Sequence, residues 1–582
     1  MVEDKYYLGF DLSTQQLKCL AIDQNLNIIH AETVQFDKEL PKYNTHNGVY
    51  INGNVVDCPV GLWVDAIDLI FQKFHESGFD LKKVEAMSGS CQQHGSVFWS
   101  HESESLLNSL DVSKGSLSQQ LVPLAFSRQN APNWQDHSTS LQCNELEASV
   151  DGMEELCEIT GSRAHYRFTG PQILKIAEAE PDNYSNTRTI SLVSSFVHSI
   201  LCGKLLPLEE ADACGMNLYD IKNHNFDQRL LNVIDSKINQ KNCTDLYSKL
   251  MGNPLQINKN PISLGNISKY FVQKYDINPN CSIFSFTGDN LATICSLPLK
   301  ENDVLVSLGT STTVLLVTSK YHPSPNYHLF IHPTIPNHFM GMICYSNGSL
   351  AREKIRDAIN DNDTGDWEAF NKEVCTEGNS NADEIGVYFP ISEIVPNVEA
   401  VCKRAKFNIK TGDIEKYVDS FKNDPKNIVE SQALSCRVRL TPLLSDGENV
   451  VNDSSNEKVK FDFENLSLLE YKKVRPSRVF FVGGASKNDA IVDKYAEVLG
   501  AKEGNYRFSN TSNSCALGGC YKAIWSKTQE MGQIPIPFVD FLNEKFNWDN
   551  IEKLPITSKK DWENFYYKIK PLSQLECSLM KE

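Results

Sequence analysis

Tyr6-Tyr-Leu-Gly-Phe-Asp11-Leu-Ser-Thr14-Gln-Gln-Leu-Lys-Cys-Leu-Ala-Ile-Asp23 is the stretch on which the fold turns. Apolar residues flank a short polar segment, a pattern that predicts strand, turn and strand. Such a hairpin can wrap a phosphate. Its turn offers successive N–H groups and the hydroxyls of Ser13 and Thr14, while Asp11 stands where a strand delivers a carboxylate to a cleft. Taken alone, the motif fits an ordinary edge hairpin equally well.

A second stretch, Asp303-Val-Leu-Val-Ser307-Leu-Gly-Thr310-Ser-Thr-Thr-Val-Leu-Leu-Val317, repeats the pattern. Laying Asp11 on Ser307 superposes Leu12 on Leu308, Thr14 on Thr310 and Leu20 on Leu316 without a gap. A repeat this distant implies two copies of one domain, each opening with a phosphate-gripping hairpin and the two facing each other across a cleft. Only the first copy carries the carboxylate, so a metal belongs with Asp11. A magnesium ion needs few protein ligands, because it keeps waters and takes phosphate oxygens for the rest.

A third signal is Arg478-Val-Phe-Phe-Val-Gly483-Gly484-Ala485-Ser486-Lys-Asn488, a buried strand, a tight turn and a helix start. Its glycines allow backbone to approach a ligand closely. The segment lacks the spacing of a dinucleotide fold or a P-loop, and a plain strand-to-helix turn fits it as well. With 582 residues the chain exceeds what one core usually serves. The expected division is 1–299 and 300–582, with a polar surface insertion near 446–475.

Composition is globular, at 41% hydrophobic and 22% charged residues. A formal net charge of -18 argues against a general nucleic-acid binder, because phosphate-backbone affinity rests on clustered lysine and arginine. It leaves room for one nucleotide held by backbone N–H groups and a metal. The 17 cysteines include no C-x-x-C pair, which favours a reducing compartment over a disulfide framework. No basic and apolar leader and no run of 18 apolar residues occurs, so the reading is a cytoplasmic protein without membrane partners.

The two hairpins and the Gly-Gly-Ala-Ser turn, in this order, resemble the FGGY carbohydrate kinase family, from about Tyr7 to Trp525. Ser13-Thr-Gln-Gln16, Gly89-Ser-Cys-Gln-Gln-His-Gly95, Arg167-Phe-Thr-Gly170, Thr287-Gly-Asp-Asn290 and Asn347-Gly-Ser-Leu-Ala-Arg-Glu353 are similar to its eukaryotic xylulokinase branch. The resemblance implies an α/β fold with two actin-like, RNase H-like ATPase domains. The first domain would bind sugar and the second ATP.

It also implies roles. Asp289 would be the general base, and Gln93, His94, Arg167 and Asn290 the remaining contacts to a ketose, with D-xylulose the expected partner. Gly483, Gly484, Ala485 and Asn488 would hold adenosine and phosphates, with Trp367 beside the base. Thr14, Thr310 and Ser311 would grip the phosphates, and Asp11 the Mg²⁺ or its water shell. Capping of the following helix is the bland reading of Asp289, and core packing that of Trp367. Trp134-Gln-Asp136-His-Ser138 departs from the family's Trp-x-Asp-x-Arg, leaving Asp136 as a possible pocket residue and Arg167 as the substitute cation. Monomer and homodimer stay open. So do ribulose or glycerol as substrate, and an actin-like ATPase switch as a rival without a sugar.

Overall fold

The computed structural model describes residues 4–238, 243–258, 261–360, 365–376, 378, 380–444, 474–508, 513–532, 535–555 and 561–580. The expected insertion at 446–475 falls outside them except for its last two residues. The chain forms two compact units. The first comprises Met1–Pro298, Leu329–His338 and Asn513–Asn547, and the second Leu299–His328, Phe339–Ser512 and Trp548–Glu582. Two segments of the expected second half, Leu329–His338 and Asn513–Asn547, thus belong to the first unit.

In the first unit, β1 (Tyr6–Leu12) and β2 (Gln16–Ile22) form the antiparallel hairpin, and β3 (Ile28–Gln35) continues it. β1 also pairs in parallel with β4 (Val84–Cys91). Two short strands, β5 (Gly265–Asn266) and β6 (Ser282–Ile283), extend the sheet to the order β5-β6-β4-β1-β2-β3, and β7 (Thr287–Gly288) adds to the end of β4. β1 is apolar on both faces because both are covered, as expected of a strand with a parallel neighbour.

One cover is the helix Ser514–Met531, which lies on β1 and β4. The approach is possible only without side chains. A Cβ on Gly9 would sit 2.1 Å from the Ala516 carbonyl oxygen, and one on Gly519 would sit 2.7 Å from the Cα of Gly89. Gly518 likewise meets the Ala292 carbonyl on the short helix Asp289–Ile294. These contacts seat a late segment against the strand that opens the chain.

The second unit repeats the plan. β8 (Val304–Leu308) and β9 (Thr312–Thr318) form the hairpin, β10 (Phe339–Tyr345) continues it, and β8 pairs in parallel with β11 (Arg478–Val482). β12 (Gly504–Phe508) and β13 (Ile551–Lys553) extend it to the order β10-β9-β8-β11-β12-β13. The gapless superposition needs one correction. Leu12 pairs with Leu17, but Leu308 pairs with Thr312, so the second turn is one residue shorter. Beyond it, Leu20 corresponds in space to Leu315, both facing equivalent positions of the first strand, and not to Leu316.

Candidate functional site

In the first unit, the ends of β1, β4 and β7 carry the polar residues. Asp11 sits in register with Ser90, whose Oγ donates to Asp11 Oδ1 at 3.2 Å, and with Lys18 across the hairpin. Desolvation pushes the Asp11 carboxyl up to about 6, against the lowering effects of Ser90 and Lys18. Thr14 is held from within the unit: Trp134 Nε1 donates to its Oγ1 at 2.9 Å, and that hydroxyl donates to Gln92 Oε1 at 3.4 Å.

β7 delivers Asp289 to the first residue of its helix. Asn290 holds the carboxylate through Oδ1, from its backbone N–H at 2.7 Å and its Nδ2 at 3.0 Å. The same Nδ2 donates to Gln93 Oε1 at 3.0 Å. Burial, then the charge of Asp11, raises Asp289 to about 7, while the Asn290 N–H and the Arg167 charge pull the other way. A carboxyl poised near neutrality suits proton transfer.

His94 follows Gln93 with φ at 71°, in the left-handed region that a non-glycine residue seldom occupies without reason. Its ring stacks on Phe168 at 4.4 Å. Nδ1 lies 3.1 Å from the Gly215 carbonyl, which can only accept, so Nδ1 carries a proton. Arg167, beside Phe168, is 8% exposed, and its Nε has no hydrogen-bond partner among the described residues. A buried guanidinium nitrogen left without a partner is a place for a ligand oxygen. The structure thus brings Gln93, His94, Arg167, Asp289 and Asn290 together.

Asp136 is held in a network of its own. It is fully buried and accepts from Val56 N, Ser138 N and Oγ, Gln172 Nε2 and Lys175 Nζ, and the Ser138 and Gln172 hydrogen bonds with Lys175 hold it below the usual carboxylate range against burial. Its ion-pair partner is Lys175. The sequence reading passed over a carboxylate, Asp212, which accepts from Ser194 Oγ at 2.6 Å and is faced by Gln93. Burial, with the charges of Glu209 and Asp289, lifts it to about 7. Its local run, Glu209-Glu-Ala-Asp212 ahead of small residues, reads like any helix start.

The second unit has a cavity of about 920 Å³ lined by Thr310, Trp367, Gly484, Ala485 and Asn488 among others. Ser311 and Gly483 lie outside that lining. Gly483 adopts φ 91°, where a Cβ would sit 2.8 Å from the Leu308 carbonyl oxygen, and Gly484 has open space where a side chain would be. Asn488 caps the helix Asp489–Leu499 through Ile491 N and donates to Asn371 Oδ1 at 2.9 Å. Trp367 is partly exposed at the start of the helix Glu368–Val374, with Arg356 over its ring at 4.7 Å and Phe370 edge-on. The Gly309–Ser311 turn is braced by Gly348 and Ser349, whose N–H groups donate to Thr310 and Gly309 carbonyls.

Among the described residues, no group of three or more His, Cys, Asp or Glu is arranged to hold a metal. The expected metal residue, Asp11, would hold an ion only as one ligand, with phosphate and water supplying the rest.

This architecture is that of the sugar kinases. The xylulose kinase of Rhodospirillum rubrum shares it at a TM-score of 0.72 over 99% of both chains, with 12% identity. Residues 128–293 match the FGGY family of carbohydrate kinases, N-terminal domain. The xylulose kinase of Saccharomyces cerevisiae is 58% identical over 99% of this chain and 97% of its own, and that of Schizosaccharomyces pombe 42% identical over 95% and 94%. The chain belongs to the FGGY family of carbohydrate kinases, among the fungal xylulose kinases. No helix among the described residues is long and apolar enough to cross a membrane.

Proposed function

We propose that this protein phosphorylates D-xylulose with ATP, giving D-xylulose 5-phosphate and ADP. The observation that carries the reading is the 58% identity across 99% of the chain to a curated xylulose kinase. Asp289, Arg167, His94 and Asn290 gathered in one place support it.

In the proposed step the sugar's terminal hydroxyl gives its proton to the Asp289 carboxylate as its oxygen bonds to the γ-phosphorus of ATP, and the bond from that phosphorus to the ADP oxygen breaks. Phosphoryl transfer asks mainly for alignment and charge stabilisation, so one carboxylate suffices as base. Arg167 Nε offers a donor to the polyol, which penalises a sugar that leaves it unpaired, and His94 lines the same place. The cavity walled by Trp367, Gly484, Ala485 and Asn488 is proposed for the nucleotide, and the turns holding Thr14, Thr310 and Ser311 for phosphates. Asp11 would hold Mg²⁺, which when bound supplies positive charge to the phosphates. The cycle includes a closure step that aligns the substrates and excludes water, a competing nucleophile.

The test is ADP release with Mg·ATP against D-xylulose, D-ribulose, L-ribulose, glycerol and no sugar, for the native chain and Asp289→Asn. Release should depend on D-xylulose and fall by about 10²–10⁴-fold in the variant. Preference for another polyol would replace the substrate, and sugar-independent turnover would favour an ATPase switch.

A further inference from the structure

Asn347-Gly-Ser-Leu-Ala-Arg-Glu353 forms a turn and the first residues of the helix Ser349–Ile359. The backbone groups of this turn go to three places. Ser346 N and Asn347 N donate to the buried Glu393 carboxylate, at 2.6 and 3.1 Å. The carbonyls of Asn347 and Gly348 accept from Gln432 Nε2, at 2.8 and 3.2 Å. Gly348 N, Ser349 N and Leu350 N, which a helix start cannot satisfy within itself, donate to the carbonyls of Thr310, Gly309 and Thr310, at 3.1, 2.9 and 3.3 Å. The approach is close enough that a Cβ on Gly348 would lie 2.6 Å from the Ser311 carbonyl carbon.

In a planar trans peptide the C=O of one residue and the N–H of the next point in opposite directions. Fixing the Gly309 and Thr310 carbonyls against the helix start therefore turns the Thr310 and Ser311 N–H groups away from it. Neither N–H donates to another described residue, and both residues are exposed.

Arg352 stands behind this arrangement. It is fully buried, Nη1 donates to Gln432 Oε1 at 2.6 Å, and Nη2 donates to Ser349 Oγ at 2.8 Å. Its Nε makes no hydrogen bond among the described residues. A guanidinium can only donate and backbone carbonyls can only accept, so Gln432 must turn its oxygen to Arg352 and its nitrogen to the Asn347 and Gly348 carbonyls. Ser349, the other partner, lines the cavity that also holds Thr310 and Gly484.

We propose that Arg352 is a positioning residue for phosphoryl transfer: through Gln432 and Ser349 it clamps the Asn347–Ser349 turn, which aims the Thr310 and Ser311 N–H groups at the phosphates of ATP. This rests on the reading of the Gly309–Ser311 turn as a phosphate grip. Methionine at 352 removes both donors and frees the Gln432 amide to rotate. Leucine at 432 leaves the Asn347 and Gly348 carbonyls without their donor.

The experiment compares Arg352→Met, Gln432→Leu and the double variant with the native chain. Calorimetry gives the affinities for Mg·ATP and for adenosine, kinetics give kcat and KM for D-xylulose, and amide hydrogen exchange is followed over 309–312 without nucleotide. Arg352→Met should weaken Mg·ATP about tenfold and lower kcat roughly 30-fold, with adenosine affinity and KM for D-xylulose moved less than about threefold, because phosphate alignment alone is lost. Gln432→Leu should lower kcat about tenfold. The double variant should fall within about twofold of the poorer single, because the two side chains act as one unit. Exchange over 309–312 should quicken in all three.

An Arg352→Met protein with Mg·ATP affinity and kcat within about twofold of native would overturn the proposal. So would one whose adenosine affinity falls as far as its Mg·ATP affinity, since that is general loosening of the unit. If Arg352→Met does not fold, Gln432→Leu with native kcat and native exchange overturns it. Native protein that binds no Mg·ATP would sink the phosphate reading and this proposal with it, whereas native protein that binds Mg·ATP beside variants with unchanged exchange would sink this proposal alone.

Discussion

The two hairpin sheets share a plan and differ in what stands at three equivalent places. In both, an antiparallel hairpin pairs its first strand in parallel with a distant strand, β4 for the first and β11 for the second, and the next functional loop leaves that distant strand. The first hairpin bears Asp11 where the second bears Ser307. The first strand carries Gly9 where the second carries Leu305, and the second turn is one residue shorter. The scaffold is thus one solution used twice, with a carboxylate and a close helix contact in one copy and an open glycine turn in the other. The difference teaches that paired strands fix where a ligand-facing turn can be, while single residues at the strand ends fix which chemistry it serves.

The largest break in this comparison should come from removing the carboxylate. Asp11→Asn is expected to lower kcat by about 10²–10³-fold, the scale of losing one charge aimed at a transferring phosphoryl group. Ser307→Ala, its counterpart, should cost less than about tenfold. Steady-state kinetics at saturating Mg·ATP distinguish them, and equal losses would mean that the two hairpins are not specialised.

Packing gives a smaller and opposed pair of effects. Leu305→Ala empties a fully packed site and should destabilise by about 2–5 kcal/mol. Gly9→Ala overfills one, since its new Cβ would lie 2.1 Å from the Ala516 oxygen, and should cost about 1–3 kcal/mol. Urea unfolding of each variant checks both. A neutral Gly9→Ala would show that the helix Ser514–Met531 is free to shift.

The smallest effect concerns the acid cluster of the first unit. Asp212 has its folded value raised to about 7, above the ordinary value near 4 of an unfolded aspartate. Its contribution is present at low pH and lost as pH rises through about 7. Asp212→Asn should therefore raise Tm by a few degrees at pH 8 and by little at pH 4. A pH-independent shift would mean that the carboxyl is not strained by its neighbours.

Much of this was legible beforehand. Strand-turn-strand patterns around Asp11 and Ser307 marked both hairpins, and short motifs named Gln93, His94, Arg167, Asp289 and Asn290, which the fold gathers. Local pattern could not reveal Asp212, because an aspartate followed by small residues looks like any helix start. Nor could it place Asp136, whose five donors come from segments as distant as Val56 and Lys175. The register after the first hairpin turn was misread for the same reason: a gapless match compares residues, and pairing is set by backbone hydrogen bonds across the turn.

By itself the sequence determined the two hairpins, the glycine turn and the family motifs, since periodicity, turn residues and short motifs act over a few neighbouring positions. The tertiary structure decided which segments share a unit and what lies behind Asp289. The helix Ser514–Met531 lies on the opening strands only because Gly9, Gly89 and Gly519 leave room for it, and such a contact depends on close packing between residues hundreds of positions apart.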